Sequence, residues 1–243
     1  MDVLEIQATA RGGGMTSPAF SRIGIIVLAA GQATRMGRLK QLLPLGDRSL
    51  AQRVIDAALA ATAGPVVAVL HPAVAAAGIP RPPHPCLHPV VNPWPEQGQA
   101  RSLRLGLRCL LQVEPALAAA MIVLADQPFI TPRALAGLAG AFDRAVKQAA
   151  AGSTSPATFW PSRAPVAARP VWQGRPGHPV VLGRPLFAEV LTLAGDEGAR
   201  PLLQRYRDRV LGWPAPGPEV TLDVDTWEDY LAACRLLEKE EQP

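Results

Sequence analysis

Residues 23–28 form an apolar run, Ile-Gly-Ile-Ile-Val-Leu, that passes directly into Ala29-Ala30-Gly31. A short, β-branched run that stops at glycine is expected to be a strand buried on both faces, ending in a tight turn. Similar strands are expected at 65–70, 121–125, 179–182 and 220–224, with a shorter one at 88–91. Between them lie Ala- and Leu-rich stretches that read as helices: 49–61, from Ser102 to 111, 132–151, 185–193, 201–206 and 227–240. Ser49, Ser102 and Thr131 stand where N-caps belong, and Pro132 where a first helical residue belongs. Strands alternating with helices predict an α/β fold: one doubly wound domain over 23–240 with a mainly parallel sheet. Ligands then belong at the carboxyl ends of the strands.

Two stretches break the alternation. Residues 78–95 are Pro-rich and expected to be irregular. Residues 152–177 are rich in Pro, Ser and Gly and are expected to form a long flap or crossing strand rather than a domain boundary. Residues 1–22, with Gly12, Gly13 and Gly14, are expected to be a disordered N-terminal segment.

Composition narrows the function classes. Three widely spaced cysteines argue against a disulfide framework and fit a reducing compartment, so the expected location is the cytoplasm. No apolar run is long enough for a transmembrane helix, and the first 22 residues lack the pattern of a secretory signal. A net charge of +4 is too modest to call for nucleic acid and suits a cleft that holds phosphates.

The densest local signal is Leu28-Ala29-Ala30-Gly31-Gln32-Ala33-Thr34-Arg35-Met36-Gly37-Arg38-Leu39-Lys40. Small residues at 29–31 let the backbone approach a ligand, and its N–H groups can cradle phosphate oxygens. Arg35 brings a fork of donors and Lys40 a compact charge, a pair suited to a triphosphate and to the charge of departing pyrophosphate. The string is neither a Walker A loop nor a Gly-x-Gly-x-x-Gly fingerprint. The plainer alternative is a strand-to-helix turn with solvated cations.

With this string the chain resembles the NTP-transferase family that includes the molybdenum cofactor cytidylyl- and guanylyltransferases. The resemblance runs from Ile25 to about Leu237. It continues through Gln97-Gly98-Gln99-Ala100-Arg101-Ser102-Leu103, Leu124-Ala125-Asp126-Gln127-Pro128, Gly177-His178-Pro179-Val180, Gly195-Asp196-Glu197-Gly198-Ala199-Arg200 and Asp223-Val224-Asp225-Thr226-Trp227-Glu228-Asp229. It implies a Rossmann-like nucleotidyltransferase architecture and transfer of a nucleoside monophosphate to a phosphorylated acceptor. Ala30 stands where the guanylyl branch usually has a second Gly, so the resemblance points to CTP, with a molybdopterin-type acceptor. A sugar phosphate or methylerythritol phosphate is the alternative acceptor. A non-catalytic partner that hands cofactor to a molybdoenzyme is the alternative role, and a molybdoenzyme or its chaperone is the protein partner the resemblance implies. Neither nucleic acid nor membrane is expected as a partner.

Asp126 closes the run 121–125 and Asp225 the run 220–224. If those runs are neighbouring parallel strands, both carboxylates reach one sheet edge, where Mg²⁺ and nucleotide phosphates would lie. The resemblance implies the same two metal ligands. Asp223, on the same strand face, is an alternative ligand or a supporting partner. The turn Leu28, Ala29, Ala30 and Gly31 is the expected nucleotide-binding backbone, and Asn92, in an irregular Pro-flanked stretch, is a candidate to read the base; the resemblance further implies that Gly98 and Ser102 meet the nucleotide and that His178 and Asp196 face the acceptor. Asn92 in a turn and Ser102 as a helix cap are the structural alternatives. His84, Cys86 and His88 form a His-x-Cys-x-His string without a fourth ligand at the usual spacing. Trp160, Trp172 and Trp213 are candidates to flank a pterin.

Overall fold

The computed structural model describes residues 23–32, 36–62, 64–151 and 160–240. Arg35 and the 1–22 segment lie outside these residues.

All seven residues of β1 (Ile23–Ala29) are buried. The strand pairs in parallel with β4 (Val66–Leu70) on one side and β6 (Ala119–Leu124) on the other. Alternation sends its odd-numbered side chains, Ile23, Ile25, Val27 and Ala29, into one core with Val54, Ile55 and Ala58 of α1 (Leu50–Ala61). Leu135 and Leu138 of α4 (Pro132–Ala151) complete that layer. Ile26, Leu28 and Ala30 point the other way, against Leu103, Leu107 and Leu110 of α3 (Gln99–Val113). A strand apolar on both faces is thus covered by helices on both, which is the doubly wound arrangement expected from its composition.

The remaining elements extend the sheet. The hairpin β2 (Pro44–Leu45) and β3 (Arg48–Ser49) leads into α1, where the Ser49 hydroxyl caps the helix by accepting the Gln52 N–H. A short helix, α2 (Pro72–Ala76), follows β4, and β5 (Leu87–Val91) then closes one edge in parallel with β4. After α4, β7 (Ala167–Trp172) crosses as expected for the Pro-rich stretch and pairs with the short β8 (Arg175–Pro176). β9 (Val180–Gly183) runs antiparallel between β6 and β7. α5 (Phe187–Val190) and α6 (Arg200–Arg205) follow, then β10 (Val210–Pro214), parallel to β7, and α7 (Trp227–Glu240). The sheet order is β10-β7-β9-β6-β1-β4-β5, a mixed but mostly parallel sheet.

Three expectations need correction. Residues 220–224 form no strand: a 3₁₀ turn, Pro218–Thr221, takes the first two of them and the other three are irregular. Isolated bonds hold the segment instead, the Val220 carbonyl accepting the His178 N–H and the Val224 N–H donating to the Asp126 carbonyl. The edge strand β10, hidden by Gly212 and Pro214, was not expected. The stretch 185–193 is helical only in a 3₁₀ turn (Arg184–Leu186) and the single-turn α5. Among the described residues no helix is long and apolar enough to cross a membrane.

Candidate active site

The carboxyl ends of β1 and β6 are level. Leu28 pairs with Leu124, and the Ala125 N–H donates to the Leu28 carbonyl at 3.1 Å. Past that point both chains turn out of the sheet, β1 through Ala30 and Gly31, β6 through Ala125 and Asp126. A cleft of about 700 Å³ opens there, and its lining includes Leu28, Ala30, Gly31, Lys40, Gly98, Ser102, Asp126, Asp196 and Asp225. Ala29, Asn92 and His178 do not line it. Strand alternation buries the Ala29 methyl under α1 and α4, and the Ala29 carbonyl accepts the His71 N–H.

The wall beyond Gly31 is set by Gln41, buried in the 3₁₀ turn Lys40–Leu42. Its Nε2 donates to the Gly31 carbonyl at 3.0 Å. A Cβ on Gly31 would approach that nitrogen to 3.1 Å, so glycine lets the two turns close on each other. Nothing in the sequence marked Gln41, because its role depends on contact across the turn rather than on any local pattern.

The same 3₁₀ turn aims Lys40 into the cleft. Its Nζ donates to Asp126 Oδ2 at 2.7 Å and to Asp225 Oδ1 at 2.7 Å. Burial desolvates the ammonium and by itself lowers its pKa. The charge and hydrogen bond of Asp126, then those of Asp225, outweigh that cost and hold the pKa above the ordinary lysine value.

No strand delivers Asp225. The Val224 N–H donates to the Asp126 carbonyl at 2.8 Å, so the returning chain docks directly beside Asp126. A capping box then starts α7. Thr226 Oγ1 accepts the Asp229 N–H at 3.2 Å, and Asp229 Oδ2 accepts from the N–H groups of Thr226 (2.9 Å) and Asp225 (3.2 Å). Asp223 is used elsewhere, accepting from Gln127 Nε2. Burial raises the Asp223 pKa above its ordinary value, against the Gln127 bond that favours its ionised form.

His178 stands behind this pair, at the start of β9. Its backbone N–H donates to the Val220 carbonyl at 2.9 Å. A Cβ on Gly177 would lie 2.0 Å from that oxygen, so only glycine permits the approach. Burial depresses the imidazole pKa, although Asp223 and Asp126 pull it upward. Its Nδ1 is buried with no hydrogen-bond partner among the described residues.

The opposite wall is the amino end of α3, and here the roles differ from expectation. The cap position is Gly98, at φ 87° and ψ 172°, not Ser102. Asp196 supplies the missing acceptor: its Oδ1 takes the Gln99 N–H at 2.9 Å, and the Gly195 carbonyl takes the Ala100 N–H at 3.1 Å. Ser102 lies one turn inside the helix. Its hydroxyl accepts from Nδ2 of the fully buried Asn92 at 3.0 Å. Asn92 Oδ1 in turn accepts from Arg101 Nε and from the Trp94 N–H. Asn92 thus orients the cleft wall from behind.

His84 Nδ1 accepts the Cys86 N–H, and among the described residues no group of three or more His, Cys, Asp and Glu side chains gathers. Trp160 packs on Phe142, and Trp213 lies against Gly137 of α4, both away from the cleft.

What remains at the floor is two carboxylates meeting at one cationic point, with the second oxygen of Asp126, Oδ1, buried and without a hydrogen-bond partner among the described residues. Hard, anionic oxygens of this kind fit a divalent cation such as Mg²⁺ or Mn²⁺.

Known proteins bear on this geometry. A solved structure of a homologue of Mycobacterium tuberculosis Rv0371c, from Mycobacterium sp. strain JC1, is 27% identical with a TM-score of 0.71, covering 91% of this chain and 99% of that one. Rv0371c itself, solved as a complex with manganese, is 27% identical with a TM-score of 0.66, covering 88% of this chain and 98% of that one. Molybdopterin-guanine dinucleotide biosynthesis protein A of Archaeoglobus fulgidus shares the fold at 16% identity and a TM-score of 0.59, covering 89% and 99%. No curated protein matches. The family model of the MobA-like NTP transferase domain matches residues 25–210. The chain belongs to the MobA-like NTP transferase domain family and is a nucleotidyltransferase.

Proposed function

We propose that this nucleotidyltransferase transfers CMP from CTP to a molybdopterin-type acceptor, using a divalent cation held by Asp126 and Asp225. The observation that carries the reading is the convergence of Lys40, Asp126 and Asp225 at the floor of a cleft whose wall is the small-residue turn after β1. A manganese complex of a 27% identical relative supports the divalent cation, and the shared fold with a molybdopterin-guanine dinucleotide protein is compatible with the acceptor. The cation, when bound, supplies charge neutralisation and alignment at the α-phosphate.

The chain's own groups account for the rest. The turn from Ala30 to Gly31 receives the nucleotide, and the Ala30 methyl narrows its wall towards a pyrimidine. Lys40, with Arg35, meets the β- and γ-phosphates and stabilises the charge that grows as pyrophosphate leaves. The acceptor's phosphate is already ionised near neutral pH, so in-line attack on the α-phosphorus needs positioning more than a general base. Gly98 and Ser102 shape the nucleobase wall, and Asp196 holds that wall to the rest of the domain. His178, buried behind the carboxylates and outside the cleft lining, acts on the acceptor side only through Asp223 and Asp126.

The test is pyrophosphate release with each of the four NTPs against molybdopterin and against a set of sugar phosphates, including methylerythritol phosphate. CTP with molybdopterin is expected to give the fastest turnover. Preference for a sugar phosphate would overturn the acceptor and leave the nucleotidyltransferase chemistry standing.

A further inference from the structure

Lys40 occupies the point where a divalent cation would bridge Asp126 and Asp225. Its Nζ is 2.7 Å from one oxygen of each. The side chains of Lys40 and Asp126 are only 18% and 20% exposed, while that of Asp225, at 44%, faces the open side of the cleft. Two carboxylates held this close in partial burial repel each other unless a positive charge lies between them, and here the chain provides that charge itself.

An ammonium and a metal ion cannot share this position. Mg²⁺ takes its oxygen ligands at about 2.0–2.1 Å, so a metal held between the two carboxylates, even one that uses the unpartnered Asp126 Oδ1, comes close to the Lys40 nitrogen against like charge and competes with it for the same anionic pair. The four-carbon stem of lysine gives the ammonium somewhere to go. Lys40 springs from the 3₁₀ turn beside Gly31, at the rim of the cleft, within the region assigned above to the triphosphate.

We propose that Lys40 is a built-in placeholder for the metal: it holds Asp126 and Asp225 together in the metal-free protein, and metal binding has to displace its ammonium. The inference rests on the assignment of the two carboxylates to a divalent cation. A metal arriving alone breaks two charge-assisted hydrogen bonds and leaves the ammonium without acceptors. A metal arriving with a nucleoside triphosphate brings phosphate oxygens that receive the displaced ammonium. Metal and nucleotide therefore bind cooperatively, and by linkage each strengthens the other by the same factor. The empty protein keeps its carboxylates in place without trapping metal that carries no substrate.

The experiment measures Mn²⁺ binding without nucleotide, by calorimetry or electron paramagnetic resonance, in the wild type and in Lys40→Met. Removal of the competing charge is expected to tighten Mn²⁺ binding by about tenfold or more, within the usual 5- to 150-fold range of coupling between sites. Lys40→Gln, whose amide still donates to the carboxylates, is the second variant should Lys40→Met fold poorly, and it is expected to tighten Mn²⁺ in the same direction. Melting curves add an independent readout: the metal-free variants melt below the wild type, and Mn²⁺ raises their midpoint more than it raises that of the wild type. Unchanged or weaker Mn²⁺ binding in both variants overturns the placeholder and leaves the metal site intact, provided Asp126→Asn abolishes Mn²⁺ binding. No Mn²⁺ uptake by any of the proteins, even with CTP present, overturns the metal site and the inference together.

Discussion

The Val224 N–H donates to the Asp126 carbonyl at 2.8 Å, a backbone bond that seats the last segment of the chain against the end of β6. The capping box of Thr226 and Asp229 fixes the next turn. Between these two anchors Asp225 has little choice of position, and its carboxylate meets Lys40 opposite Asp126.

Removing either carboxylate is therefore expected to disarm the site without dismantling the fold. Asp126→Ala or Asp225→Ala is expected to reduce turnover by at least about tenfold to a hundredfold, in line with loss of metal-centred charge stabilisation. Steady-state rates at saturating Mg²⁺, with circular dichroism to check folding, measure this. Near-normal rates in both variants would remove the pair from the mechanism.

Lys40 is expected to act on the chemical step. Lys40→Ala is expected to slow the single-turnover rate more than it raises the KM for the acceptor, because charge on pyrophosphate develops only as the bond breaks. A variant with an intact chemical rate and only a higher acceptor KM contradicts this.

Ala30 lines the cleft at the end of β1. It is 3% exposed; on the proposed reading its methyl denies space to a purine, so CTP is expected to outcompete GTP, and Ala30→Gly to relax the preference. The steric share is worth about 1–3 kcal/mol. Competition assays at equal nucleotide concentrations decide it, and a wild-type preference for GTP rules out the cytidylyl assignment.

Gly98 holds a backbone conformation open in practice only to glycine. A Cβ there would also lie 2.4 Å from the Gly195 carbonyl oxygen. Gly98→Ala is expected to lower stability by about 1–3 kcal/mol and to disturb the contact between α3 and the Gly195-Asp196 loop. Chemical denaturation measures the first effect and nucleotide affinity the second. Wild-type values for both would show that the loop yields freely.

His178 sets a pH limit on stability. Burial places its folded pKa below the ordinary 6.5, so the unfolded chain binds the proton more readily. Its contribution is complete above about 6.5 and is lost as pH falls from there towards the depressed folded value. Asp223 works in the opposite sense, since its folded pKa is raised and its contribution is lost as pH rises from 3.8 through that raised value. His178→Gln is expected to flatten the acid-side decline just below pH 6.5, as read from unfolding midpoints across that window. An unchanged pH profile would assign the decline to other groups.

The sequence by itself determined the layering and the identity of the central strand. An apolar run on both faces of β1 demanded helices on both sides, and Ser49 and Thr131 marked two helix starts where the structure has them. These signals work within a few residues, through side-chain alternation and local capping bonds. The same local reading marked Lys40, Asp126 and Asp225 as candidates but could not say how they meet. Only the tertiary structure brought Asp225 to Lys40, across 185 residues and without the expected strand. Only the fold showed that Asp196 caps α3 from 97 residues away, leaving Ser102 free to bond Asn92. Such pairings depend on where separate loops converge at the sheet edge, and that convergence leaves no periodic trace in the residues that make it.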